Sequence, residues 1–91
     1  MQTEPEKVLR RHRQLVHSDR LTVTSHVQRA EGDWIVNTLM VRDCTAPFRF
    51  KRKQAYRNLK GQRVNLTYYP DSETVGGMAF EVMKVVRIRV A

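Results

Sequence analysis

The side chains in this sequence best suited to nucleophilic or acid–base work are one cysteine, Cys44, and three histidines, His12, His17 and His26. A nucleophile works only when a base is held beside it, and nothing in the sequence holds these four together. His12 and His17 fall five apart in one candidate helix, on different faces, and Cys44 stands in a turn with no characteristic neighbours. The carboxylates are equally scattered. Asp33, Asp43 and Asp71 sit at turns, where a short acceptor side chain bonds nearby backbone amides. The histidine and cysteine spacings do not make a zinc site. The one glycine pair, Gly76-Gly77, leads into no helix and no Lys-Ser/Thr step, so it is no phosphate loop. A non-enzymatic protein without metal or cofactor is expected.

Chemistry of another kind is gathered in one segment. From residue 49 to 63 the chain carries Arg49, Lys51, Arg52, Lys53, Arg57, Lys60 and Arg63 with no Asp or Glu, against a formal net charge of +8 for the whole. A polyanion bound to such a surface releases condensed counterions. Aromatic residues are interleaved: Phe48, Phe50, Tyr56, Tyr68 and Tyr69. Phe48 and Phe50 alternate with cations and so belong to the core. That leaves Tyr56 and one of Tyr68 or Tyr69 to stack on unpaired bases. The expected ligand is single-stranded nucleic acid or RNA.

Clustered cations also keep strand edges apart and raise solubility. The alternative is therefore a protein-interaction or assembly module that meets an acidic partner or pairs through a strand edge, with Met83 and Val85 on the outward side of the last strand. Lys7, Arg10, Arg11 and Arg13 near the N-terminus extend the positive charge, but the apolar face beside them lacks Trp and Phe, so no membrane association is expected.

These residues need a scaffold, and the hydrophobic periodicity describes one. Val8, His12, Leu15 and Val16 recur at helical spacing, and Thr3 followed by Glu6 has the spacing of a capping box, which predicts a helix over 4–17. From Leu21 the period changes to two. Leu21, Val23 and Val27 are expected on one face, with Thr22, Thr24, His26 and Gln28 on the other. After the turn at Glu31-Gly32-Asp33, residues 34–42 make a second strand, and Phe48 to Lys51 a third. Ala55 and Leu59 are four apart ahead of Gly61, which predicts a short helix over 54–60 stopped by a left-handed glycine. Val64, Leu66 and Tyr68 line one face of a fourth strand that Pro70-Asp71-Ser72 should end. A bent fifth strand runs from Met78 to Val90, with Phe80, Val82, Val86, Ile88 and Val90 on one face.

The expected fold is mostly β: a small five-stranded antiparallel barrel with an N-terminal helix and a short helix between the third and fourth strands. That order of elements fits an OB-fold-like barrel, with an SH3-like barrel as the alternative. Ninety-one residues make one domain, 1–91, with 4–17 as helix or arm and 21–90 as barrel. A lone cysteine forms no internal disulfide. No run of apolar residues reaches signal-peptide or membrane-span character. The expectation is a soluble, cytoplasmic monomer.

Overall fold

The computed structural model describes residues 14–91. Five strands follow one another: β1 (Val16–Glu31), β2 (Trp34–Val41), β3 (Phe48–Arg52), β4 (Arg63–Val75) and β5 (Met78–Val90). Among the described residues there is no helix, and hence none long and apolar enough to cross a membrane. Most of the expected N-terminal helix, residues 4–13, lies outside the described residues. Of its last residues, Val16 and His17 open β1 instead.

The strands close in the order β1-β2-β3-β5-β4. β1, β2 and β3 form a meander, and β4 returns to lie beside β1, which is the Greek-key arrangement. β5 then fills the gap between β4 and β3. Its contact with β3, Phe48↔Met83 and Arg49↔Lys84, is parallel, so the barrel is antiparallel everywhere except at this seam. Closure leaves the barrel strands no free edge.

Three irregularities let so few strands curl round. Val23 pairs with Val41 and Ser25 with Met40, so Thr24 is an extra residue in β1. A second irregularity lies between Ser18 and Leu21, where Arg20 takes a φ of 57° and its amide donates to Asn65 Oδ1. The third sets Val86 between the pairs Thr67↔Arg87 and Tyr68↔Val85, the bend expected in the last strand. The bulge at Thr24 overturns part of the expected face assignment. Beyond it Val27 is exposed, while His26 and Gln28 turn toward the barrel interior.

The core comprises Val23, Leu39, Val41, Phe48, Phe50, Leu59, Val64, Leu66 and Ile88, with Tyr68 packed edge-on against Phe48. Met83 and Val85 also pack on it. They are therefore not the outward apolar pair expected from the sequence, and of the opposite set Phe80, Val86 and Val90 are exposed.

The expected helix over 54–60 is an irregular loop. Leu59 is 0% exposed and plugs the barrel end, whereas Ala55 is exposed. The loop's backbone groups are taken by side chains rather than by a helical ladder. Gln28 bonds both the amide and the carbonyl of Tyr56, His26 Nδ1 accepts from the amide of Leu59, and Asn58 Oδ1 from that of Lys60. A helix this short has too few of its own bonds to compete. Gly61 keeps its left-handed conformation, φ 86°, at a turn closed by Gln62 N–H to Leu59 C=O.

β4 does not stop at Pro70. It continues opposite β5 as a long hairpin, turning at Gly76-Gly77, where two consecutive positive φ angles suit the type I′ turn that matches strand twist. Pro70 lies beyond the last β1–β4 pair, Val16↔Tyr68, where the ladder no longer needs its missing N–H.

Candidate nucleic-acid interface

Cross-strand pairing arranges the outer wall of β1, β2 and β3 in rows. Outside Phe48 and Phe50, alternate residues of β3 face outward: Arg49 and Lys51, with Lys53 just past the strand end. Opposite them on β2 stand Thr38, Val36 and Trp34. Thr38 pairs with Arg49 and Val36 with Lys51, while the Lys53 ammonium lies 4.7 Å from the centroid of the Trp34 ring. β1 extends the rows, placing Arg29 beside Val36 and Val27 beside Thr38. At the parallel seam Lys84 of β5 stands beside Arg49.

A groove of about 390 Å³ runs over this wall, lined in part by Arg29, Val36, Lys51, Tyr69 and Lys84. Its far side comes from the β4–β5 hairpin. Glu73 reaches across, accepting from Arg49 Nη1 with one oxygen and from Lys84 Nζ at 2.8 Å with the other. The hydrogen bond from Lys84, helped by the charge of Arg49, holds the Glu73 carboxyl below its ordinary pKa even though partial burial pushes the other way. Arg49 is also steadied by a 3.3 Å bond from Nε to Thr38 Oγ1. Farther along the same face of the hairpin, Phe80 pairs opposite Glu73 and is 48% exposed, with Val75 and Met78 more exposed still.

The basic segment singled out in the sequence therefore does not form one surface. Arg49, Lys51 and Lys53 share the β2–β3 wall. Arg52 turns to the barrel end, its guanidinium carbon 4.9 Å from the Phe50 centroid and 5.9 Å from that of Tyr56. Arg57 and Lys60 are exposed on the end loop, and Arg63 pairs with Thr22 on the β1–β4–β5 wall.

The aromatic residues are redistributed too. Tyr56 packs edge-on against Phe50, with centroids 5.7 Å apart. Tyr68 lies over Phe48 and its hydroxyl meets Ser18 Oγ at 2.9 Å. The ring most available on the basic wall is Trp34, 42% exposed, which the reading of the basic segment passed over. The signal that locates it is parity, because Trp34, Val36 and Thr38 alternate against Leu39 and Val41 on the core side.

Cys44 is exposed and free. Among the described residues no three His, Cys, Asp or Glu side chains are grouped to hold a metal ion. His26 is a structural residue. Its Nδ1 accepts from Leu59 N–H, which leaves Nε2 as the donor to Asn37 Oδ1 at 2.8 Å. Compared with known proteins, the chain matches no family model, no curated protein and no solved structure.

Proposed function

We propose that this protein is a non-enzymatic binding module that engages single-stranded nucleic acid or RNA on the outer wall of β2 and β3. The observation that carries the reading is the Trp34–Lys53, Val36–Lys51, Thr38–Arg49 array, in which cations follow one another along one strand face beside an exposed indole. Cations spaced along a strand follow a phosphate backbone, and an indole face stacks on a base whatever its identity. A closed five-stranded Greek key is the OB-fold architecture. In that fold the strand 2–3 face and the loops joining strands 1 and 2 and strands 4 and 5 bind oligonucleotides. Here those loops flank the groove, with Trp34 next to the first and Phe80 close to the second.

Arg49, Lys51 and Lys53 are the primary phosphate contacts in this proposal. Arg57, Lys60 and Arg63 contribute long-range attraction from the barrel end, and Arg52 and Tyr56 support the wall from behind. The lone thiol Cys44 suits a reducing, cytoplasmic setting.

The test is fluorescence anisotropy with labelled single-stranded RNA, single-stranded DNA and duplex DNA, using heparin as a competing polyanion. The reading expects a preference for single strands and affinity that falls steeply between about 50 and 200 mM salt. Equal binding to all four polyanions would reduce the wall to a general charge effect.

A second reading has its own observation. Val75, Met78 and Phe80 are exposed at the end of a projecting hairpin, with a cleft of about 430 Å³ beside them against Pro47. Such a surface suits a protein partner or self-assembly. Sedimentation across the micromolar range tests self-assembly directly.

A further inference from the structure

We propose that Arg49 and Lys84 form a phosphate subsite within this groove, and that Glu73 fills it as the chain's own stand-in anion until a ligand phosphate displaces it. The inference rests on the nucleic-acid reading and adds to it a defined point of contact and a competitor.

Three features carry it. The two cations come from different strands, β3 and β5, and the parallel seam sets them side by side through the pair Arg49↔Lys84. They converge on two separate oxygens of one carboxylate. A phosphate group presents the same pattern with more charge, and a guanidinium fork and an ammonium are the side chains that favour it. Finally, the anion is delivered by the β4–β5 hairpin. At Glu73 this hairpin has run past the last β1–β4 pair, so the residue is not needed to close the barrel. All three side chains remain about 30% exposed, within reach of an incoming ligand.

An ordinary ion pair that only pins the hairpin makes the opposite prediction for binding. Removing Glu73 would then loosen the groove and weaken binding or leave it unchanged. In a filled phosphate subsite, removal frees two cations for the ligand.

The experiment compares the parent with Glu73→Gln and Glu31→Gln, titrating labelled oligothymidylate at several salt concentrations. Glu31 lines the same groove but is in no ion pair among the described residues, so its substitution makes the same charge change without opening the subsite. Glu73→Gln should tighten binding about three- to tenfold and steepen the salt dependence by about 0.7, the contribution of one more phosphate on a single strand. Glu31→Gln should give less than about a twofold change, as expected of an exposed charge acting through solvent.

Equal gains from both variants would overturn the subsite and leave the nucleic-acid reading standing. Binding seen only after Glu73→Gln would support the subsite strongly, and no binding by any of the three proteins would overturn both proposals. A measurement without a variant runs in parallel: pyrophosphate titrated into the parent should move the Arg49 Nε–H and Glu73 carboxyl resonances together. If both stay still while the protein binds oligothymidylate, the subsite is refuted.

Discussion

The backbone amide of Leu59 donates to Nδ1 of His26 over 2.9 Å, and this one bond ties the loop that seals the barrel to the strand opposite. The other ring nitrogen meets Asn37, a buried side chain at 0% exposure whose Nδ2 turns back to the Ile35 carbonyl. His26 thus satisfies a buried amide oxygen and a loop N–H at once. Replacing it with Ala should cost about 2–4 kcal/mol, because each orphaned buried group costs about 1–3 kcal/mol. Chemical denaturation measures the loss, and nitrogen NMR should find the proton on Nε2. A cost under about 0.5 kcal/mol would mean the loop is held some other way.

Leu59 itself is the plug. Leu59→Ala should destabilise the protein by about 2–5 kcal/mol, the range for emptying a fully buried leucine site. Exposed Ala55, four residues earlier, should tolerate Ser within about 0.5 kcal/mol. A helix over 54–60 would not separate the two positions so sharply, so thermal melts of this pair test the loop's conformation.

Charge reversal should distinguish the two groups of cations. Lys51→Glu together with Lys53→Glu should abolish oligonucleotide binding with little change in melting temperature, since both side chains are exposed on the wall. Arg57→Glu with Lys60→Glu should reduce affinity far less. Arg52 is left out deliberately, because its contacts with Phe50 and Tyr56 make its loss a stability change as well. If the two double variants weaken binding equally, the ligand has no preference for the β2–β3 wall.

Aromatic substitutions should divide in the same way. Trp34→Ala should weaken binding to single strands by about 1–3 kcal/mol, the usual value of one stacked base, with a small effect on folding. Tyr56→Ala should chiefly lower the melting temperature, because its ring packs against Phe50. Anisotropy and melts on both variants check the assignment, and a reversed pattern would move the stacking site to the barrel end.

The Glu73 ion pairs predict a pH dependence with a definite sign. The native carboxyl titrates below its unfolded value, so the unfolded state binds protons first as the pH drops. The stabilisation is complete above about pH 4.3, the ordinary glutamate value, and fades as pH falls through the depressed native one. The stability difference between the parent and Glu73→Gln should therefore shrink across that acidic interval. A difference that stayed constant there would show that Glu73 does not act through its charge.

Much of the barrel was legible because period-two alternation survives in short strands. Phe48 and Phe50 turned inward with Arg49 and Lys51 outward, Val64, Leu66 and Tyr68 shared the core face, and β5 began and ended where its pattern did. The failures have specific causes. The loop after β3 looked helical because four-residue spacing between Ala55 and Leu59 is a local signal, while Gln28 and His26, which decide the matter, are more than twenty-five residues away in sequence. Pro70 looked like a strand end because nothing local shows that β1 has already stopped pairing there. The basic segment looked continuous because charge is counted along the chain, whereas the end of β3 sends Lys53 to one surface and Arg57 to another.

The extra residue at Thr24 sets how this gene can tolerate change in length. Deleting that single codon would restore an uninterrupted β1–β2 ladder and rotate every later β1 residue by half a turn. Val27 and Arg29 would point into the barrel, and His26 and Gln28 into water, severing the loop that holds Leu59. A lost residue in the Gly76-Gly77 turn would only shorten a projecting tip. Insertions and deletions should therefore accumulate at the hairpin end and be purged at Thr24, although both positions are exposed and neither contributes a side chain to the core.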